Sequence, residues 1–296
     1  MSIPSLVRRF PHQVVSCGLL LVFALPIAAS AQEKVEFPAP SPRSIVKQRV
    51  GTTDIELDYS RPGKNGRDIF GALVPWAAVW RTGANAATKI SFSDPVKLGD
   101  KEIPAGKYSL YTIPNAGDWT IIVHKDTSLW GAYKYKQEND VARVVVKPES
   151  LPTPVENFAI SFDDLKEDSA TLVLAWDRTR VPVKLTTNTV EKVSAQIEKA
   201  AASGQPQEGS FYFGAANFYL AHNKDLNKAL AWIDQAIEKN PKSWFVLFKK
   251  AEIQAKNGDK PGAIVTAEKA IAMIKADPEP DQGDVMNVQR FIEKQR

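Results

Sequence analysis

The spacing of apolar side chains changes once along this chain, and that change limits the fold more than any other feature. From about residue 45 to residue 185 the period is two. Ile55, Leu57 and Tyr59 alternate with Asp54, Glu56 and Asp58, as the buried and wet faces of a strand do. Trp119-Thr120-Ile121-Ile122-Val123 and Phe158-Ala159-Ile160-Ser161-Phe162 repeat the pattern, while Val144-Val145-Val146 and Leu172-Val173-Leu174 read as strands buried on both faces. Turn chemistry separates these runs at Gly99-Asp100, Pro104-Ala105-Gly106, Asn115-Ala116-Gly117-Asp118 and the acidic stretch 163–168. Many short strands with no helix between them predict a sandwich or barrel.

Beyond Leu185 the period becomes helical. Asn188 with Glu191 three residues on has the form of a capping box, and Val190, Val193 and Ile197 make an apolar stripe. Gly204 and Pro206 stop that helix. Asn223, Asp225, Ala229 and Ala236 then recur as Asn257, Asp259, Ala263 and Ala270, an offset of 263 − 229 = 34. That is the tetratricopeptide period, with small residues where paired helices cross closely. Asn240-Pro241 fits an N-cap followed by proline. The expected organisation is α+β in two domains, an all-β sandwich or barrel over 32–186 and a tetratricopeptide-like helical domain over 187–296. Two repeats fall short of the roughly three a stack needs. The helix after Asn188 and the segment around residues 285–292 are therefore expected to cap it, or the stack to lean on the β domain.

Residues 1–31 read as a secretory signal: Arg8 and Arg9, an apolar run over 14–29, then Ala29-Ser30-Ala31 before cleavage at Gln32. The run is shorter than the roughly 20 residues of a spanning helix and holds Pro26, so no stable membrane anchor is expected. Cys17, the single cysteine, would leave with the signal, so no disulfide could staple the remaining 296 − 31 = 265 residues. Losing both arginines takes the net charge from +4 to +2, too small a surplus for a nucleic-acid footprint. A soluble periplasmic or secreted protein follows.

No reaction centre stands out. Past residue 31 only His124 and His222 remain, whereas zinc sites use roughly three to four protein ligands, so neither a metal nor another cofactor is expected. Asp163-Asp164 and Glu167-Asp168 read as an acidic turn, His124 as a surface or capping residue, and neither a nucleophile elbow nor a phosphate loop is found. One group of loops is chemically suggestive: Arg61, Lys64 and Arg67; Trp80, Arg81 and Asn85; Trp130 and Tyr133. Arginine holds carboxylate or phosphate bidentately, and an aromatic face suits a sugar or a cation. The plainer alternative is that the arginines pair with internal aspartates while the aromatics seal the sandwich.

The same segments carry a family resemblance. Tyr59-Ser60-Arg61-Pro62, Gly66-Arg67-Asp68-Ile69-Phe70-Gly71, Leu73-Val74-Pro75, Val79-Trp80-Arg81-Thr82-Gly83-Ala84-Asn85 with Ala87-Thr88, Pro104-Ala105-Gly106-Lys107-Tyr108 and Trp130-Gly131-Ala132-Tyr133 together resemble the domain of unknown function 2911, over about residues 37–185. The resemblance implies export and, in some members, a helical repeat region behind the domain. It implies no reaction, and Ala86 stands where members often have an acid. The expected function is an exported binding or interaction protein of a bacterial-type envelope. Its β domain would take an anionic or glycan-like ligand and its helices would contact a protein. The alternatives are an envelope-polymer hydrolase using an aspartate such as Asp68 or Asp140, and a non-catalytic structural component.

Overall fold

The computed structural model describes residues 1–2 and 37–296; the expected signal, with Arg8, Arg9, Cys17 and the Ala31-Gln32 cleavage point, lies outside the described residues. Ten strands come first: β1 (Arg43–Val50), β2 (Thr53–Ser60), β3 (Thr88–Phe92), β4 (Val96–Leu98), β5 (Lys101–Ile103), β6 (Gly106–Ile113), β7 (Trp119–His124), β8 (Asp140–Val146), β9 (Glu149–Asp163) and β10 (Ser169–Thr187). They form a six-stranded sheet ordered β1-β2-β3-β6-β7-β8 and a four-stranded sheet ordered β5-β4-β10-β9, antiparallel throughout. One 3₁₀ turn, Gln137–Asn139, leads into β8.

The two-residue period explains the layers. Leu57, Ile90, Leu110 and Ile121 point from the first sheet, and Leu98, Leu172, Leu174 and Leu185 from the second, into one shared core. Asp54, Glu56 and Asp58 face outward, where β1 neutralises them: Arg43 holds both oxygens of Asp58, Lys47 meets Glu56 at 3.0 Å, and Arg49 meets Asp54 at 3.8 Å. The expectation for 144–146 needs correcting. Val144 is buried but Val145 is 68 % exposed, because β8 lies at the sheet edge with one face open. Leu172-Val173-Leu174, on the interior strand β10, is buried on both faces as expected.

Six helices follow: α1 (Thr189–Ala201), α2 (Gly209–Ala221), α3 (Leu226–Lys239), α4 (Trp244–Lys256), α5 (Lys260–Lys275) and α6 (Gln282–Gln295). The 34-residue offset marks equivalent positions in two hairpins, α2 with α3 and α4 with α5. Asp225 and Asp259 cap α3 and α5 by accepting backbone N–H bonds, and Ala229, Ala236, Ala263 and Ala270 are fully buried where helices meet. On α6, Val285, Val288 and Ile292 cover the last hairpin. Two local readings fail. Asn188 starts α1 without a side-chain bond, so no capping box forms there. Asn240 ends α3 instead of starting a helix, and α4 begins at Trp244 after Pro241 has turned the chain. Among the described residues no helix is long and apolar enough to cross a membrane.

Residues 39–296 make one compact unit, and the start of α1 is tied to the sheets. The hydroxyls of Thr187 and Thr189 are 2.7 Å apart, Lys192 meets Asp94 at 2.6 Å, and His222 meets Glu167 at 3.0 Å. Gly51, at φ 58°, lies where a Cβ would sit 1.9 Å from Thr189 Oγ1 and 2.4 Å from the Glu167 carbonyl. Gly51→Ala should therefore lower the melting temperature and raise amide exchange across 187–201, at a cost of at least about 1–2 kcal/mol from the left-handed backbone alone. A Tm equal to the parent's would disprove that close docking. The Lys192 hydrogen bond holds the Asp94 carboxyl below its ordinary value of 3.8. Such a group stabilises the fold above the unfolded value, and that contribution is lost as pH falls through the lowered folded one. Asp94→Asn should thus cost stability at pH 7, with the gap to the parent narrowing at a pH below 3.8. Chemical denaturation at both pH values measures it.

Candidate functional site

Between β2 and β3 the chain leaves regular structure for 27 residues, from Arg61 to Ala87, and most of the expected ligand-binding residues lie there. Several are committed to architecture. Arg61 Nε donates to the Phe158 carbonyl at 2.9 Å. Lys64 Nζ meets Asp177 at 2.5 Å, the one case in this group of a cation on an internal aspartate. Arg67 donates from Nε to the Lys64 carbonyl (3.0 Å) and from Nη2 to that of Gly63 (2.5 Å), which closes its own turn. Trp80 stacks on Trp176 at 5.9 Å and 17°, meets Phe158 edge-on at 5.1 Å, and donates its indole N–H to the Gly83 carbonyl. Its backbone pairs with Thr112 of β6.

Arg67, Trp80 and Arg81 nevertheless converge. They line a cavity of about 340 Å³ with Ser41, Pro62 and Trp176, and no carboxylate among the described residues lines it. The Arg81 guanidinium makes no hydrogen bond or ion pair among the described residues, and its Nε is fully buried without a partner. A buried cationic donor left unpaired is costly, about 1–3 kcal/mol or more, unless an anion completes it. Thr82 beside it holds φ 56°, a strained conformation for a β-branched residue. The structure over-determines that strain: Thr82 is fully buried, its hydroxyl lies 3.2 Å from that of Thr112, and its carbonyl accepts from Thr88. Asp68 and Asp140, the aspartates named for a hydrolase, do not line this cavity. Asp140 instead accepts from Arg143 at 2.8 Å and Tyr135 at 2.6 Å.

Asn85 and Trp130 are brought together elsewhere. They flank a hollow of about 180 Å³ with Ser60 and Lys89, and Ala86 bridges to Trp130. Asn85 Nδ2 donates to Ser60 Oγ at 3.2 Å. Tyr133, 84 % exposed, lines neither space and lies over Gly131. The two regions adjoin through Arg81, whose Nη1 would be 3.4 Å from a Cβ placed on Gly131. A groove of about 690 Å³ also crosses the outer face of β1, β2, β3 and β6, but its acids are already held by the β1 cations.

Residues 41–185 match the family model described as a protein of unknown function, DUF2911. The matched DUF2911 stretch ends at Leu185, within β10, so the helices lie beyond it. No curated protein matches the sequence. Protein BPP2914 from Bordetella parapertussis, known from a solution structure, is similar at 20 % identity with a TM-score of 0.30; the similarity covers 35 % of this chain and 86 % of that one.

Sequence reasoning missed the outer face of the six-stranded sheet. Strand register sets Asp58, Lys89, Ser109, His124 and Asp140 side by side across five strands. His124 is fully buried, contrary to its reading as a surface residue, because the chain from 125 to 136 folds over it. Its Nδ1 accepts from the Asp126 N–H (3.2 Å) and its Nε2 donates to the Lys136 carbonyl (3.2 Å), so one ring fastens both ends of that loop. Beneath it Tyr111, Ile122 and Ala87 form a second small core with Leu129, Ala132 and Tyr135. Burial pushes the Tyr111 hydroxyl up to about 12, and burial with the Asp140 hydrogen bond raises that of Tyr135. The sequence signal was present in Tyr111 and Ile122, apolar residues on the face that should be wet. His124→Leu should leave the sandwich folded and speed amide exchange over 125–136 by about 5- to 150-fold, since losing both bonds costs about 1–3 kcal/mol. Unchanged exchange there would remove His124 from the role of fastener.

Proposed function

We propose that this chain is an exported, soluble binding protein whose β region holds a small anionic ligand, while helices of tetratricopeptide type offer a surface to a protein partner. The observation that carries the reading is Arg81: a buried guanidinium Nε without a partner among the described residues, in a cavity they line with a second arginine and no acid. Arg67 has two of its nitrogens on backbone carbonyls, which fixes the fork and leaves Nη1 for a ligand. A carboxylate, phosphate or sulfate group fits such a pair. The exposed ring of Trp130, on the loop against Arg81, gives a flat face suited to a sugar. An acidic sugar of the cell envelope joins both features in one ligand. The periplasmic or secreted location rests on the leader pattern of residues 8–31, and the protein partner on the 34-residue repeat, whose general use is protein contact.

Calorimetric titration with glucuronate and with inorganic phosphate tests this reading. Saturable binding is expected, weakened about 10- to 100-fold in Arg81→Gln, the range that hydrogen bonds to a charged group supply. Circular dichroism of the variant should match the parent's. If the parent binds neither probe, or Arg81→Gln unfolds the domain, Arg81 is structural and the proposal is wrong.

A further inference from the structure

The outer face of the six-stranded sheet holds a second chemically distinct position, separate from the arginine cavity. Lys89, on β3, is half-buried and lies between two hollows, one of about 240 Å³ with Glu56, Asp58, Ser91, Lys107 and Thr127, the other of about 180 Å³ with Asn85 and Trp130. It lines both, yet it forms no ion pair among the described residues. The nearest acids are otherwise engaged. Both oxygens of Asp58 are on Arg43, Glu56 is on Lys47, and Asp126 accepts from the backbone and hydroxyl of Ser128.

The partner of Lys89 is Ser109, whose Oγ is 3.0 Å from Nζ and which is fully buried. The Ser109 hydroxyl has no other hydrogen bond among the described residues, so its own proton needs an acceptor. An ammonium group has no lone pair and cannot accept that proton; a neutral amine can. The neutral form therefore satisfies Ser109 and the charged form leaves its hydroxyl hydrogen buried and unmade. Burial acts in the same direction, holding the Lys89 amine below the ordinary lysine value against the upward pull of Asp126 and Asp58. His124, the next residue across the sheet, has both ring nitrogens on its loop and does not compete for the amine.

A buried serine beside a lysine admits two chemistries, and accessibility decides between them. Ser109 is sealed beneath the sheet surface and cannot reach a substrate, whereas Lys89 fronts both hollows. The amine is the accessible nucleophile, and the buried hydroxyl holds it in place and favours its neutral form. We propose that Lys89 is a reactive amine that captures a small carbonyl compound bearing an acidic group, an aldehyde acid or 2-oxo acid, as a reversible imine. Nζ adds to the carbonyl carbon, and the proton the amine sheds reaches the oxygen through solvent in the open hollow. The carbinolamine then loses that oxygen as water, giving a C=N bond with no net oxidation or reduction. The acidic group is assigned to Lys107. That residue lines the 240 Å³ hollow, has no ion pair among the described residues, and sits diagonally from Lys89 across the β3–β6 ladder, about 7–8 Å away.

The test is reductive trapping on the full chain with glyoxylate and sodium cyanoborohydride at pH 7, with peptide mapping by mass spectrometry. Lys89 should be carboxymethylated at least tenfold faster than the median lysine. Ser109→Ala should slow it severalfold with the Tm unchanged. Lys107→Gln should slow trapping of glyoxylate but not of propanal, which has no acid. Trapping of Lys89 by propanal involves no anion, so this inference and the anion-binding proposal fail separately. Labelling of Lys89 at the rate of the other lysines, or an equal rate in Ser109→Ala, overturns the assignment.

Discussion

Everything in the β region depends on a cluster of rings between the two sheets. Phe70 meets Trp119 at 4.7 Å, and Trp80, Phe158 and Trp176 close a triangle with centroid separations of 5.1 to 5.9 Å. Each such pair adds about 0.5–1.5 kcal/mol beyond the burial of its surface. This cluster fastens the long irregular segment between β2 and β3, which has little ladder pairing and no disulfide to hold it. Phe70 and Trp80 are its two anchors. Arg81 follows Trp80 directly, so the indole that fills the core also sets where the unpaired guanidinium points.

That arrangement ties the candidate site to stability. An arginine placed by a flexible loop would lose much of its binding energy to ordering, whereas one carried beside a packed tryptophan is already positioned. The left-handed backbone at Thr82 is the local cost of that turn, and its bonds to Thr112 and Thr88 offset it. The same logic operates on the outer face of the sheet. There, one histidine and a few apolar residues hold a loop against strands that would otherwise face water, and Ser109 and His124 of the polar row are withdrawn from solvent. Lys89 and Ser109 acquire their unusual relation from that cover and from the charge pairing along β1 and β2.

The helical part shows a simpler economy. Aspartates begin α3 and α5, alanines let the helices approach, and α1 joins the stack to the sheets through threonine contacts and the Lys192–Asp94 pair. Residues α1 to α6 thus continue from the sandwich as one compact unit with it.

The sequence by itself determined the switch from strands to helices near residue 187, the alternation in β2 and β9, and the equivalence of the two helical hairpins; in β7 it failed, since Ile122 and His124 are buried as well. Each rests on a period that neighbouring residues share, so local order is enough to reveal it. It also marked Arg67, Trp80 and Arg81 as a group, because they lie close together in the chain. Only the tertiary structure decided which cations are spent: Lys64 on Asp177, Arg61 on the Phe158 carbonyl, Arg43 on Asp58, with Arg81 left over. The row through Lys89, Ser109 and His124 was equally hidden, since register across strands sets it. Edge position exposes Val145, and a folded-over loop buries His124. Pairing and burial are properties of which segments meet, and meeting is decided by the packing of the whole chain around its aromatic core.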